Sequence, residues 1–315
     1  MTEIHDVHTH VGLDQAFYLR GWWPYASTAR ELLGHMNAHG IDRAVCFPFT
    51  MPSAFDSGAF ADEHEVRLRP GRFPFDRENA ALLWEWERLD EGGRLLPFAM
   101  LDPAREVAFQ LRSLERLSDR IAGLKTQTTI IESPIRALRA EGRDLMAFAG
   151  ERDLPVLLHA SIEPRAVWAQ TPDCLAVAEA FPGVRFSLAH SLGFHREFLR
   201  RAAAMPNVWV DCAALLAHCR LAREDSPIIA ARPMRVDVDY ARPAEVVVAV
   251  HEILGERYLW GSDHPFMSWC DDDLRILYSY ADEAAVLHSL TESVRVSMAS
   301  AGPRAWLFGD RGGET

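Results

Sequence analysis

The chain of 315 residues contains no long hydrophobic run. Its apolar runs reach only about six to eight residues, where a membrane-spanning helix needs roughly 20. Positive charge is also scarce. With 33 Lys and Arg against 45 Asp and Glu, the net charge is −12, which argues against nucleic acid or an anionic membrane surface as a partner, since both need a basic face to meet phosphate. Cysteines are few: Cys46, Cys174, Cys212, Cys219 and Cys270 are odd in number and form no Cys-x-x-Cys pair. That pattern offers neither a disulfide framework nor a thiolate metal site, and it reads as reduced thiols in a cytoplasmic protein. Residues 1–6 carry no basic segment followed by an apolar stretch, so no secretory signal is expected. The chain has no Gly-x-Ser-x-Gly elbow, which removes support for a serine hydrolase. The segment His8-Thr9-His10-Val11-Gly12 has one glycine only, so the phosphate loop of a dinucleotide-binding sheet is missing. A small-molecule substrate remains the expected partner.

What the sequence does have is repetition of type. Short apolar runs that end in polar residues occur at 4–10, 43–49, 95–101, 121–127, 155–161, 184–190, 208–214 and 258–263. Segments with helical spacing lie between them at 28–39, 78–90, 107–119, 135–152, 171–180, 196–205 and 243–254, followed by 272–280 and 283–299. This alternation predicts an α/β fold, a (β/α)8 TIM barrel spanning residues 1–309 as one unit, with a flexible tail at 310–315. Two stretches, 50–76 and 216–242, interrupt the alternation. Each follows a strand directly, so they are expected as long loop insertions at the C-terminal rim.

The chemistry concentrates at the strand ends. Residues i and i+2 of a strand share a face, so His8 and His10 can present two imidazoles to one ion, or they are simply two buried or surface histidines. His159, His190 and Asp263 each close a later apolar run, where a barrel gathers catalytic groups around one mouth. Asp263 precedes His264-Pro265 and could equally cap a helix. Lys125 ends the run 121–125, Asp211 and Cys212 end another, and the pair His35 and His39 sits four apart on the first helix; the aspartate reads as a backbone cap.

These residues resemble the amidohydrolase superfamily, in its branch of metal-dependent hydrolases and non-oxidative decarboxylases. The likeness is carried by the first-strand His-x-His, Met36-Asn37-Ala38-His39-Gly40-Ile41-Asp42, Gly123-Leu124-Lys125, the histidines 159 and 190, Asn207-Val208-Trp209-Val210-Asp211 and Gly261-Ser262-Asp263. Pro303-Arg304-Ala305-Trp306-Leu307-Phe308-Gly309 resembles the closing signature, with Pro where Asn is usual. The resemblance implies that His8, His10, His159 and Asp263 bind a divalent metal, with His190 beside it as a hydrogen-bonding group or second-metal ligand. Imidazoles and a carboxylate without thiolate suit one Zn2+, with Mn2+, Fe2+ or Ni2+ also compatible. The catalytic pair implied is Asp263 as proton acceptor and donor, and His190 as orienting or polarising group. For Lys125 the resemblance allows a carboxylated, metal-bridging lysine; the residue alone reads as a rim lysine holding a substrate carboxylate or packing its stem.

Around this site the loops are aromatic. Trp22, Trp23, Phe47, Phe49, Phe55, Phe60, Phe266 and Trp269 would line the mouth, with Arg67, Arg69 and Arg72 nearby, which suits a cyclic or aromatic, possibly carboxylated, substrate. The same aromatics would also serve a homodimer patch. Three activities fit: hydrolysis of an amide, lactone or ester, decarboxylation of an aromatic or unsaturated acid, and non-catalytic metal binding. The intact first-strand histidine pair and the sequence Ser191-Leu192-Gly193-Phe194 after His190 favour hydrolysis.

Overall fold

The computed structural model describes residues 2–14, 25–49, 54–63, 65–90, 92–268 and 275–309. Its centre is a parallel sheet in the order β2-β1-β3-β4-β5-β6-β7-β8-β9. The strands are β1 (His5–Leu13), β2 (Ala26–Ser27), β3 (Arg43–Pro48), β4 (Leu95–Met100), β5 (Gly123–Thr126), β6 (Val156–Leu158), β7 (Phe186–Leu188), β8 (Val208–Asp211) and β9 (Tyr258–Leu259). β2 is a short antiparallel extension of β1; the other eight are parallel and match the eight expected runs. The sheet closes on itself at the seam between β1 and the chain after β9. There Val7 N–H donates to the Trp260 carbonyl (3.1 Å), Asp263 N–H to His8 (2.8 Å) and His10 N–H to His264 (2.7 Å). The result is a (β/α)8 barrel.

Side chains sort by the two-residue period of the strands. Val45, Phe47, Phe98, Leu157, Trp209 and Leu259 fill the barrel interior, while Ala44, Cys46, Val156, Leu158, Val208 and Val210 pack outward with the helices. β1 departs from this alternation. Its register against β3 shifts between Asp6 and Thr9, and this bulge lets both Val7 and His8 face inward. The far end of the barrel is plugged by Trp306, fully buried against Phe98.

The helices are α1 (Ala29–His39), α2 (Asp76–Leu89), α3 (Val107–Leu117), α4 (Arg143–Glu151), α5 (Thr171–Ala180), α6 (Arg196–Ala204), α7 (Leu215–Arg223), α8 (Pro243–Leu254), α9 (Tyr280–Ser289), α10 (Glu292–Val296) and α11 (Gly302–Phe308). Thr28 caps α1 through Glu31 N–H, and Gly40 ends it in the left-handed conformation (φ 66°). None among the described residues is long and apolar enough to cross a membrane.

Four expectations are corrected. The helix expected at 135–152 is a 3-10 turn, Ile135–Arg139, followed by α4; between them Gly142 approaches the Pro103 carbonyl so closely that a Cβ would collide with it. The helix expected at 283–299 is displaced and divided: α9 starts at Tyr280, Leu290 is extended (ψ 156°), and a π-helical turn occupies Ser297–Ala301, where the Met298 carbonyl accepts from Trp260 N–H at 3.0 Å. The stretch 216–242 carries most of α7. Residues 275–279 are not helical, and the rest of the helix expected at 272–280, like the tail 310–315, lies almost wholly outside the described residues.

Candidate active site

The C-terminal strand ends bring together the residues expected to act. Ligand atoms of His8, His10 and Asp263 lie within 4.8 Å of one another. Asp263 Oδ1 is 3.3 Å from Nε2 of His8 and 3.5 Å from Nε2 of His10, and all three residues are buried. Asp263 sits in the left-handed region (φ 63°), strain that turns its side chain to the histidines rather than to the helical turn that follows.

Hydrogen bonding fixes which nitrogen each imidazole offers. His8 Nδ1 lies 3.1 Å from Asp211 Oδ2, His10 Nδ1 3.3 Å from the Pro48 carbonyl and His190 Nδ1 3.1 Å from the Ala213 carbonyl. Each of these partners can only accept while Asp211 is ionised, so each Nδ1 carries the proton and each Nε2 is bare. The contact of 3.2 Å between His190 Nε2 and His159 Nδ1 then makes His159 the donor, leaving its Nε2 bare as well. Burial pushes the four imidazoles well below their ordinary pKa, which keeps them neutral. His159 stands outside the close trio, linked to it through His190, whose ring centroid is 5.3 Å from that of His8.

Lys125 corrects an expectation. It is 1 % exposed and does not snorkel to a rim; its Nζ lies 3.4 Å from His8 Nε2 and 4.8 Å from the centroid of the Phe47 ring. Burial pushes this ammonium down against the pull of Asp211 and Asp263, and pushes Asp211 and Asp263 up. Two buried carboxyls that resist ionisation beside bare imidazole nitrogens fit a divalent cation, whose charge would restore the carboxylates and whose borderline softness matches nitrogen and oxygen donors.

The trio opens into a cavity of about 660 Å³ lined also by Lys125, His159, His190 and Phe266. Phe49 lies behind this wall, its ring 5.5 Å from His10 and 5.2 Å from Phe266. Phe55 and Phe60 do not line the mouth; they are buried in the interior apolar cluster. Two of the arginines are likewise spent elsewhere: Arg67 pairs with Asp56, Glu63 and Glu65, and Arg69 donates to the Phe55 carbonyl. Trp22, Trp23 and Trp269 lie outside the described residues. His35 and His39 stack on Tyr280 (5.2 and 5.8 Å) away from the cavity, and His264 bonds Ser27 Oγ through Nε2 at 2.8 Å.

Two aspartates have larger roles than the sequence conveyed. Asp211 does accept backbone bonds, from His190 and Ala213 N–H (3.1 Å each), but its second oxygen orients His8. Asp6, pushed up to about 6 by burial, ties the barrel seam by accepting from His8 N–H, Ser262 N–H and the Tyr280 hydroxyl. Asp211 ends its strand as the ligand residues do, which was the available signal. His218, Gln127, Thr129, Ser161 and Glu163 also line the cavity, and no spacing in the sequence marks them.

No functionally curated protein matches the chain. Among solved structures, an amidohydrolase of Burkholderia multivorans with bound zinc superposes with a TM-score of 0.61 at 16% identity, covering 97% of this chain and 99% of the other. The 2,6-dihydroxybenzoate decarboxylase of Rhizobium gives 0.60 at 14%, with 98% and 99% covered. Dihydroorotase of Campylobacter jejuni gives 0.55 at 13%, with 96% and 82% covered. The amidohydrolase family model matches residues 5–307, nearly the whole barrel. The chain therefore belongs to the amidohydrolase family and is an enzyme of that family.

Proposed function

We propose that this enzyme is a metal-dependent hydrolase that opens an amide, lactone or ester bond in a small cyclic or aromatic substrate. The observation that carries the reading is the convergence of His8 Nε2, His10 Nε2 and Asp263 Oδ1 at the base of a cavity of small-molecule size. His8, His10 and Asp263, joined by His159, would hold one divalent cation, zinc by the donor set with manganese, iron or nickel compatible; bound there it supplies Lewis acidity toward a carbonyl and acidifies water.

The side chains supply the proton traffic. Water adds its oxygen to the carbonyl carbon as Asp263, whose Oδ1 faces the two histidines, takes one water proton at Oδ2. The scissile C–O or C–N bond then breaks, and Asp263 returns that proton to the departing oxygen or nitrogen. His190, anchored by the Ala213 carbonyl, keeps His159 in register and so acts on the incoming group through His159. Lys125, at the floor, faces a substrate oxygen, while Phe266 and Phe49 support the aromatic wall.

The Rhizobium structure keeps decarboxylation as the second reading, on the same scaffold. Elemental analysis of purified protein, followed by a panel of lactones, cyclic amides, aryl esters and aromatic carboxylic acids, separates the two. Acid release without carbon dioxide is expected; carbon dioxide from a carboxylic acid, with every lactone, amide and ester untouched, would overturn the hydrolase reading.

A further inference from the structure

One side of the cavity is made by α7. Ala217, His218 and Leu221 line it together with Ile228 from the loop that follows. The helix begins without a side-chain cap of its own, at Ala214 in the left-handed conformation (φ 56°). Glu283 of α9 serves that end instead, accepting from Leu216 N–H at 3.0 Å. α7 is thus held from behind by a neighbouring helix while its front meets the cavity.

His218 is the polar group on this wall. Ring centroids step from His8 to His190 (5.3 Å) and from His190 to His218 (5.1 Å), which places His218 one ring farther from Asp263 than His190 is. The nearby Ala213 carbonyl favours an N–H on its side of the ring, and burial holds the His218 pKa down to about 4. A neutral imidazole has one N–H and one bare nitrogen. With the N–H favoured toward Ala213, the other nitrogen is bare, and among the described residues no hydrogen bond holds it on the cavity wall. Thr129 lines the same cavity, and its buried hydroxyl has no hydrogen-bond partner among the described residues. A buried polar group left unpaired costs free energy, so a ligand that pairs with these groups gains what the protein leaves unmade.

We propose that His218 is a specificity-determining residue: its bare nitrogen accepts a hydrogen bond from a hydroxyl of the substrate, whose uncharged ring packs on Ala217, Leu221 and Ile228. The inference rests on the hydrolase reading only for which end of the substrate faces Asp263. Recognition of the hydroxyl is independent of the reaction and is tested by binding.

The probes are chroman, chroman-6-ol, chroman-7-ol and their methyl ethers, which share a ring-sized apolar body and cannot be hydrolysed. Titrated by calorimetry into zinc-loaded protein, at least one hydroxychroman is expected to bind about three- to ten-fold more tightly than chroman, the range of one neutral hydrogen bond, and methylation of its hydroxyl should erase the gain. In His218→Phe the gain should vanish while chroman binding changes less than about two-fold; His218→Gln, which keeps an acceptor, should retain part of it. Absence of a hydroxyl preference in the wild type overturns the proposal, as does a preference that survives in His218→Phe. If that variant fails to fold, the methyl ethers and His218→Gln decide. Turnover of 3,4-dihydrocoumarin and its ring-hydroxylated analogues tests the other reading separately. Hydroxyl-dependent binding with every lactone, amide and ester of the panel untouched sinks the hydrolase reading alone, and cleavage without hydroxyl preference sinks this one alone.

Discussion

The Asp211 carboxylate lies 3.1 Å from His8 Nδ1, and that contact leaves Nε2 as the nitrogen His8 turns toward Asp263. Three other histidines at the mouth have their tautomers fixed in the same way, by an acceptor or by each other. The protein thereby commits the protons of four imidazoles, and the bare Nε2 atoms of His8 and His10 both face Asp263 Oδ1.

Replacing Asp211 by asparagine tests this directly. The backbone N–H groups of His190 and Ala213 hold one oxygen of residue 211, so an amide keeps its oxygen there and turns its NH2 toward His8. His8 Nδ1 must then accept, and the proton moves to Nε2. Asp211→Asn should weaken metal binding about 10- to 100-fold with the fold retained, measured by competition against a chelator. Unchanged affinity would contradict the tautomer assignment.

Gly261 lies against the same histidine from the other side of the seam. A Cβ there would come within 2.8 Å of His8 Cβ and 3.3 Å of its backbone nitrogen, contacts that neither rigid partner can relieve. Gly261→Ala should destabilise the protein by about 1–3 kcal/mol and lower metal affinity together with it. A variant with wild-type Tm and metal affinity would show that the seam gives more easily than the packing implies.

Acid should be harmful to the metal-free protein. Ten histidines, His5, His8, His10, His35, His159, His190, His195, His218, His251 and His264, are shifted down in the fold, chiefly by burial. The unfolded chain therefore takes up protons first as pH falls below 6.5, and the stability these groups contribute above that value is lost. Four buried carboxyls shifted up, Asp6, Asp211, Asp263 and Glu283, act in the opposite sense but are outnumbered. A Tm that falls between pH 7 and pH 5, measured by scanning calorimetry, is the expected outcome; a flat or rising Tm is not compatible with neutral buried histidines.

Glu283 gives a separable effect on the alkaline side. It is fully buried, its Oε2 has no hydrogen-bond partner among the described residues, and burial pushes its pKa from 4.5 up to about 8. A carboxyl raised in the fold stabilises below its unfolded value, and that stability is lost as pH rises toward the folded value. Glu283→Gln keeps an oxygen for Leu216 N–H and removes the titration. Relative to wild type, the variant should gain at least about 1 kcal/mol between pH 5 and pH 8. A difference in Tm that stays constant over that window would argue for an ionised Glu283.

Much of the architecture was legible because a barrel repeats one local rule. Each apolar run that ends in a polar residue became a strand, and His8, His10, His159, His190 and Asp263 all close such runs or share the face of one. α5 and α8 begin and end where their sequence patterns do, each with proline in its first turn. The misreadings have contact-level causes. The helix expected over 135–152 breaks where Gly142 meets the Pro103 carbonyl, a neighbour distant in sequence. Phe55 and Phe60, read as mouth residues, are drawn into the interior cluster with Phe75 and Phe98, since aromatic area is more stable away from water. α7 went unread because its helix is uncapped locally and is completed by Glu283, 67 positions away.

The sequence by itself determined the class of fold, the strand ends that carry chemistry and the kinds of donor atom available, because side-chain direction along a strand follows from its period of two. Only the tertiary structure decided which nitrogen of each histidine is bare, that Lys125 is buried against His8, that Asp211 orients His8 as well as capping backbone, and that His218 reaches the cavity. Those properties depend on acceptors supplied by other strands and on burial by other helices. The relevant distances connect residues up to 203 positions apart, beyond the reach of any local pattern.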